Sequence, residues 1–212
     1  MQASEFEAKD LVGGHIAIDL VNTVTARHAE PVERLENFQR LLYWARLTDE
    51  FNDRTLADLG ALGRVDPAAS DAALERLKIF RESLYDVLTA LMDYREPPSR
   101  AVIRLEATWK GATEACSWSL IDGHLSPELT VATSGLDYLA HVIAFRSFDL
   151  LRAFPVERTR VCAGERCGWL FIDRSRGGKR RWCDMAVCGN TAKTRRYLQR
   201  RKQARQRRSA VR

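Results

Sequence analysis

Four of the chain's five cysteines fall within residues 162–188, in the stretch CAGERCGWLFIDRSRGGKRRWCDMAVC. Cys162 and Cys167 enclose four residues, fifteen separate the two pairs, and Cys183 and Cys188 repeat the four-residue gap. Each close pair can form a tight knuckle, and a hairpin-length spacer can bring two knuckles together around one ion. The spacer suits that role. WLFID alternates as a strand does, RSRGGK holds a Gly-Gly turn, and RRWC is expected to return as a second strand. Four soft sulfurs, with no position left open for a substrate, favour one structural zinc ion per chain held by Cys162, Cys167, Cys183 and Cys188. Cationic side chains close by are expected to lower the thiol pKa values. Reduced structural cysteines, a redox pair and an iron–sulfur cluster are the competing readings. Cys116 stands apart in an apolar run and reads as a small buried side chain.

The cysteines sit in a basic arm attached to an acidic body. Residues 1–156 hold 16 Lys/Arg against 24 Asp/Glu, whereas residues 157–212 hold 18 against 4. That asymmetry points to nucleic acid as the partner of the arm. After Cys188, Gly189-Asn190 can turn the chain into a helix, TAKTRRYLQRRKQARQRR. On it Lys193, Arg196 and Arg200 share a face at three- and four-residue steps, with Arg195 and Lys202 alongside. Lys179, Arg180 and Arg181 add charge from the spacer. Thr194, Tyr197 and Leu198 form a less polar seam, expected to dock on Trp169, Phe171 and Trp182. Arg207 and Arg208 follow in a tail with no evident anchor. Phosphate neutralisation and counterion release would then supply most of the affinity. RNA binding, or docking on an acidic protein as an adaptor, is the alternative use of the same module.

The body must present this arm. Its hydrophobic content, 45% of the whole chain, predicts a packed core. VERLENFQRLLYWARL (32–47) spaces its apolar residues as a one-sided helix, Asp53 can cap a helix over 54–63 ended by Gly63, and 71–94 is the longest periodic stretch. A further helical piece covers 99–109. Alternation through 115–120 and Asp122-Gly123 then predict a β-hairpin, and 135–154 returns to helical spacing before Pro155. HIAIDLVNTV (15–24) fits a helix or a strand. The N-terminus MQASEFEAKD has no apolar core region, so no secretory signal is predicted, and no run of about 18 apolar residues predicts a membrane span. A cytoplasmic protein is the resulting expectation, in which disulfides are rare.

The body offers little catalytic chemistry. His15, His28, His124 and His141 are its only histidines, none in an H-E-x-x-H pattern, and neither G-x-S-x-G nor a P-loop occurs. No enzyme is predicted. Asp19, Asn22, Thr23 and Arg27 are polar groups within a mostly apolar segment. They are candidates for a small-ligand pocket, and structural capping is the competing role. An effector bound there could tune DNA affinity, and the acidic body could cover the basic helix in one state and release it in another.

RVCAGERCGWLFIDRSRGGKRRWCDMAVCGNTAKTRRY resembles the CGNR-type zinc finger, in which a cysteine pair, F-x-D-x-S and R-W-C lead into C-G-N-R-x-K-x-R-R. HIAIDLVNTVTAR resembles the L-D-F-V-N-T opening of the ABATE domain that precedes this finger. The resemblance implies a bacterial stress-related transcription regulator binding double-stranded DNA. Thr191 stands where the family motif has arginine, while Lys193, Arg195 and Arg196 match its later basic positions. The expected architecture is mainly α with a small β component. A helical domain with a hairpin (1–156) is followed by a treble-clef-like finger with a basic helix (157–212). A homodimer is compatible with it.

Overall fold

The computed structural model describes residues 5–209, apart from the side chains of Ile121, Ala204, Arg205 and residues 207–209. The tail arginines Arg207 and Arg208 therefore lie outside the described side chains. The frame is a long helix, α4 (Pro67–Met92), started by the Asp66 carboxylate, which accepts from the Ala69 N–H at 2.9 Å, and by Pro67 in the first turn. Leu74, Leu77, Leu84 and Leu88 bury its inner stripe. Around it pack α1 (Ile16–Val21), α2 (Phe38–Leu47), α3 (Asp53–Val65), α5 (Ser99–Glu114) and α7 (Tyr138–Arg152), with the short α6 (Val131–Ser134) leading into α7.

Several element bounds differ from the sequence reading, each for a local reason. Residues 15–24 resolve as α1 followed by β1 (Val24–Thr25), which pairs antiparallel with β2 (Val32–Glu33). That pairing takes residues 32–33 out of the expected helix, and Asn37 starts α2 by accepting from the Arg40 N–H at 2.9 Å. Asn52, not Asp53, caps α3. Gly63 does not end α3; a Cβ there would lie 3.1 Å from the Phe38 ring, so its small size is what the α2–α3 contact requires. Helix α5 runs past 109 to Glu114. The hairpin forms as expected from β3 (Ser117–Ile121) and β4 (His124–Glu128), with Asp122 and Gly123 both at positive φ in the turn. Its register places Trp118, Leu120, Leu125 and Pro127 on one face, and that face is exposed.

In the C-terminal region β5 (Thr159–Val161) pairs antiparallel with β6 (Leu170–Ile172). The spacer's expected return strand at RRWC is not a strand. The edge it would occupy on β6 is not used by it, and the loop is closed instead by Asp173, whose carboxylate accepts the Ser175 and Arg180 N–H groups at 2.9 Å each. A single π-type turn (Met185–Gly189) then leads into α8 (Asn190–Ser209). The alternation of β6 places it between two apolar clusters. Leu170 is fully buried in the core of the helical body and Ile172 packs against that core, whereas Phe171 faces Cys162 and Cys183. No helix among the described residues is long and apolar enough to cross a membrane.

Candidate metal centre and its docking surface

The ligating atoms of Cys162, Cys167, Cys183 and Cys188 all lie within 4.8 Å of one another. Cys167 Sγ is 3.7 Å from Cys183 Sγ, which is 3.6 Å from Cys188 Sγ. All five cysteines of the chain are free thiols here. These separations far exceed the ~2.05 Å of a disulfide. They match the edge, about 3.8 Å, of a tetrahedron with metal–sulfur bonds of about 2.3 Å. Ionisation supports the same fit. Thiol hydrogen bonds from Cys167 and Cys183 bring Cys162 down to about 2. The same bonds push Cys167 up to about 12 and raise Cys183 further, while burial raises Cys188. One thiolate forms easily and opposes the next. A soft divalent cation lets four thiolates share this volume, so the donor set fits zinc. The cause of the Cys162 shift is its neighbouring thiols, not the arginines that the sequence suggested. Zinc closed by four sulfurs supplies structure, with no vacant position for a substrate.

Local backbone geometry builds the knuckles. The Gly164 and Cys183 N–H groups donate to Cys162 Sγ at 3.4 and 3.3 Å. A Cβ on Gly164 would stand 3.2 Å from Cys188 Sγ, which explains glycine inside the first knuckle. Asp173 is buried, and its bonds with Ser175 hold its carboxyl below the usual range. Arg180 donates through Nε to the Trp182 carbonyl at 3.0 Å and through Nη2 to the Cys183 carbonyl, with its guanidinium 4.4 Å from the Phe171 ring centroid. Asp184 caps the π-type turn by accepting the Ala186 and Val187 N–H groups.

The first knuckle and β6 are fastened to the body by the HIAIDLVNTVTAR segment. Asn22, buried, donates to the Leu170 carbonyl and accepts its N–H, both at 2.9 Å. The Arg27 and His28 N–H groups donate to the carbonyls of Cys167 (3.0 Å) and Arg166 (3.3 Å), and the Ile172 N–H donates to Gly13 (2.9 Å). The Trp169 indole N–H reaches the Val24 carbonyl at 2.9 Å. Gly168 sits at φ +72°, and a Cβ there would lie 2.7 Å from the Arg27 Cβ. Glycine is required on both counts.

Sequence comparison matches two family models. Residues 158–201 match the CGNR zinc finger, and residues 14–153 match the ABATE family, described as "putative stress-induced transcription regulator". The second match spans well over half of the chain. The chain belongs to the ABATE family. No match was found among curated proteins.

Asp19, Asn22, Thr23 and Arg27 of the ABATE segment each bond to protein groups, and the Arg27 Nε is buried without a hydrogen-bond partner among the described residues. Asp19 Oδ1 accepts the Gly13 N–H at 2.8 Å, and burial raises its carboxyl to about 6. Thr23 donates to the Leu20 carbonyl (2.7 Å) and accepts from Arg81 (3.0 Å). Arg27 pairs bidentately with Glu82 at 2.8 and 3.1 Å, donates to the Val21 carbonyl and lies over the Tyr85 ring. Asp19, Asn22, Thr23 and Arg27 are thus gathered in one segment, where they hold the body together and grip the finger. None of the four lines the cavity of about 560 Å³ beside α8. Arg81, which joins Thr23 to Glu33 and Glu82, was not singled out in the sequence. Its place in an amphipathic helix gave it no distinguishing signal.

The basic residues divide. Arg180 is committed to the finger's own carbonyls. Arg195 is ion-paired with Glu165 in the first knuckle. Lys179, Arg181, Lys193, Arg196 and Arg200 are exposed, with no ion pair among the described residues; Arg181 lies over the Trp182 ring. The seam expected to dock does not. Tyr197 and Leu198 are 59% and 56% exposed, and Phe171 is already covered by Arg180. Thr191 is exposed, and its hydroxyl donates to the Val187 carbonyl at 2.9 Å.

Proposed function

We propose that this ABATE-family protein is a zinc-dependent, DNA-binding transcription regulator whose recognition element is α8. The observation that carries the reading is the stance of that helix. It is twenty residues long, about 30 Å. Its packing is concentrated on the π-type turn that bears Cys188, and every described side chain from Lys193 onward is exposed. Lys193, Arg196 and Arg200 lie along one side of it with no carboxylate partner among the described residues. A rigid anchor at one end and a free cationic face suit a helix placed in a major groove. Lys179 and Arg181 supply further phosphate contacts. Arg195 contributes only if its pair with Glu165 opens. One zinc ion per chain holds the anchor, and the role is binding, not catalysis.

RNA binding is the second reading, favoured by Tyr197, an exposed ring that could stack on an unpaired base. One assay separates them. Zinc-loaded full-length protein is titrated against duplex DNA, single-stranded DNA and RNA over a salt series. The duplex is expected to bind tightest, with log K falling against log salt by about 0.9 per phosphate contact. Clear preference for RNA at every salt would replace the DNA reading.

A further inference from the structure

A cavity of about 560 Å³ lies between the body and the first turns of α8. It is far larger than an ion needs and has the size of a small-molecule site. Thr25 and Ala26 of the body form one wall. Thr191, Ala192, Arg195 and Gln199 form the other; their spacing is one face of α8, and Arg196 stands at the border between it and the side that carries Lys193 and Arg200. Trp169 and Trp182 line it between the knuckles. The wall is mostly apolar, and the Trp169 indole N–H is already used by Val24.

Its charged groups do not cancel. Each lining carboxylate has a partner: Asp10 pairs with Arg34, Glu165 with Arg195, and Asp184 caps the π-type turn. Arg166, Arg181 and Arg196 also line the cavity, with no ion pair among the described residues. The four-thiolate centre borders the floor and carries net negative charge when metal is bound. An anion is therefore placed at the arginine rim with an apolar body against the tryptophans.

From this we infer that the cleft between the body and α8 binds a small aromatic anion, such as an aromatic carboxylate or sulfonate, as the regulator's effector. The inference rests on the DNA-regulator reading only for the word effector; the binding site stands on the cavity itself. A molecule wedged between the body and α8 contacts both and biases the orientation of the helix. Ligand and DNA affinities are then linked reciprocally if the two orientations bind DNA differently.

The test uses zinc-loaded full-length protein and the fluorescent aromatic sulfonate 1-anilinonaphthalene-8-sulfonate, with no nucleic acid present. One saturable site per chain is expected. The uncharged analogue N-phenyl-1-naphthylamine should bind about tenfold more weakly, and Arg166→Ala should weaken the sulfonate by about the same factor, the scale of one lost hydrogen bond to a charged group. Ala192→Trp, which fills the cleft, should abolish saturable binding, with zinc content and helicity checking that the variant folds. Trp118→Ser removes the largest side chain of the exposed hairpin face and should change nothing. Loss of the signal in Trp118→Ser, or no change in both Arg166→Ala and Ala192→Trp, overturns the site. Equal affinity for the uncharged analogue overturns the anion. Because Arg181 and Arg196 border both surfaces, duplex DNA is expected to weaken the sulfonate without excluding it; strict mutual exclusion makes the cleft part of the nucleic-acid surface and also overturns it. DNA affinity is measured separately, so failure of DNA binding leaves the cleft result readable.

Discussion

The two halves of the zinc finger are both rich in arginine and lie in opposite environments. From β5 to Cys183 the apolar and aromatic residues and one cation turn inward: Arg180 holds two carbonyls and covers Phe171, Trp169 bonds to the body, and Leu170 enters the body's core, while Lys179 and Arg181 stay exposed. From Asn190 onward the chain turns outward: Lys193 and Arg200 meet solvent, and Arg196, also exposed, borders the cleft. Charge density is the same signal in both halves. What separates them is whether backbone acceptors and apolar surface lie within reach of the side chain. Among the described residues, the one carboxylate paired with an α8 side chain is Glu165, in the finger itself and not in the acidic body.

The strongest way to break the contrast is to remove the metal. Structural zinc is worth an apparent ~10–16 kcal/mol in zinc-finger peptides. A finger that folded independently would unfold on chelation and spare the helical body. Because Leu170 is part of the body's core, chelation or Cys183→Ser is expected to lower the thermal midpoint of the body's helices as well. Circular dichroism at 222 nm with parallel zinc assay checks this, and an unchanged body transition would show that the inward half is not integral.

Next in size is Arg81→Ala. It removes the bidentate bonds to Glu33 and leaves Thr23 without its donor, while Glu82 keeps its pair with Arg27; two charge-assisted bonds at about 1.5–3 kcal/mol each make the cost about 3–5 kcal/mol. Urea denaturation of the variant measures it. Asn22→Ala removes both bonds to Leu170 and leaves a buried N–H and C=O unpaired, a cost of about 2–4 kcal/mol. The same variant should loosen the finger first, seen as faster hydrogen exchange in β6 than in α4.

Asp19 gives a pH test of the docking. Its carboxyl is raised from 3.8 to about 6 by burial, so the folded state binds its proton more tightly than the unfolded state does. Stability from this group is therefore full below about pH 4, falls as pH rises to about 6 and is level above, a loss of about 2–3 kcal/mol. Asp19→Asn keeps an acceptor for the Gly13 N–H. It should remove that slope and be more stable at pH 7 by a similar amount in denaturant titrations.

The smallest effects sharpen the outward half. Arg196→Ala is expected to cost ~1–3 kcal/mol on a preferred duplex and less on random DNA. Arg195→Ala, already paired with Glu165, should cost less than about 1 kcal/mol in the same binding assay. Equal losses for the two would mean that the ion pair opens on binding and that the division drawn within α8 does not hold.

The sequence by itself determined the elements whose information is local. Two four-residue gaps specified the sulfur cluster, Asp122-Gly123 the hairpin turn, and periodicity the long helices α4 and α7. These depend on spacing along a single segment. The start of α2 at Phe38 was not legible, because β2 withdraws residues 32–33 by pairing with a strand elsewhere in the chain. Nor was the role of Asn22 and Arg27. Polar residues in an apolar segment look alike whether they await a ligand or a backbone 148 residues away, as Asn22 does for Leu170. The tertiary structure alone decided that WLFID is shared between two apolar clusters, that Arg180 and Arg195 are already engaged, and that the seam of α8 stays exposed. Each outcome depends on which donors, acceptors and apolar surfaces meet when distant segments pack, and a residue's type and sequence neighbours do not contain that.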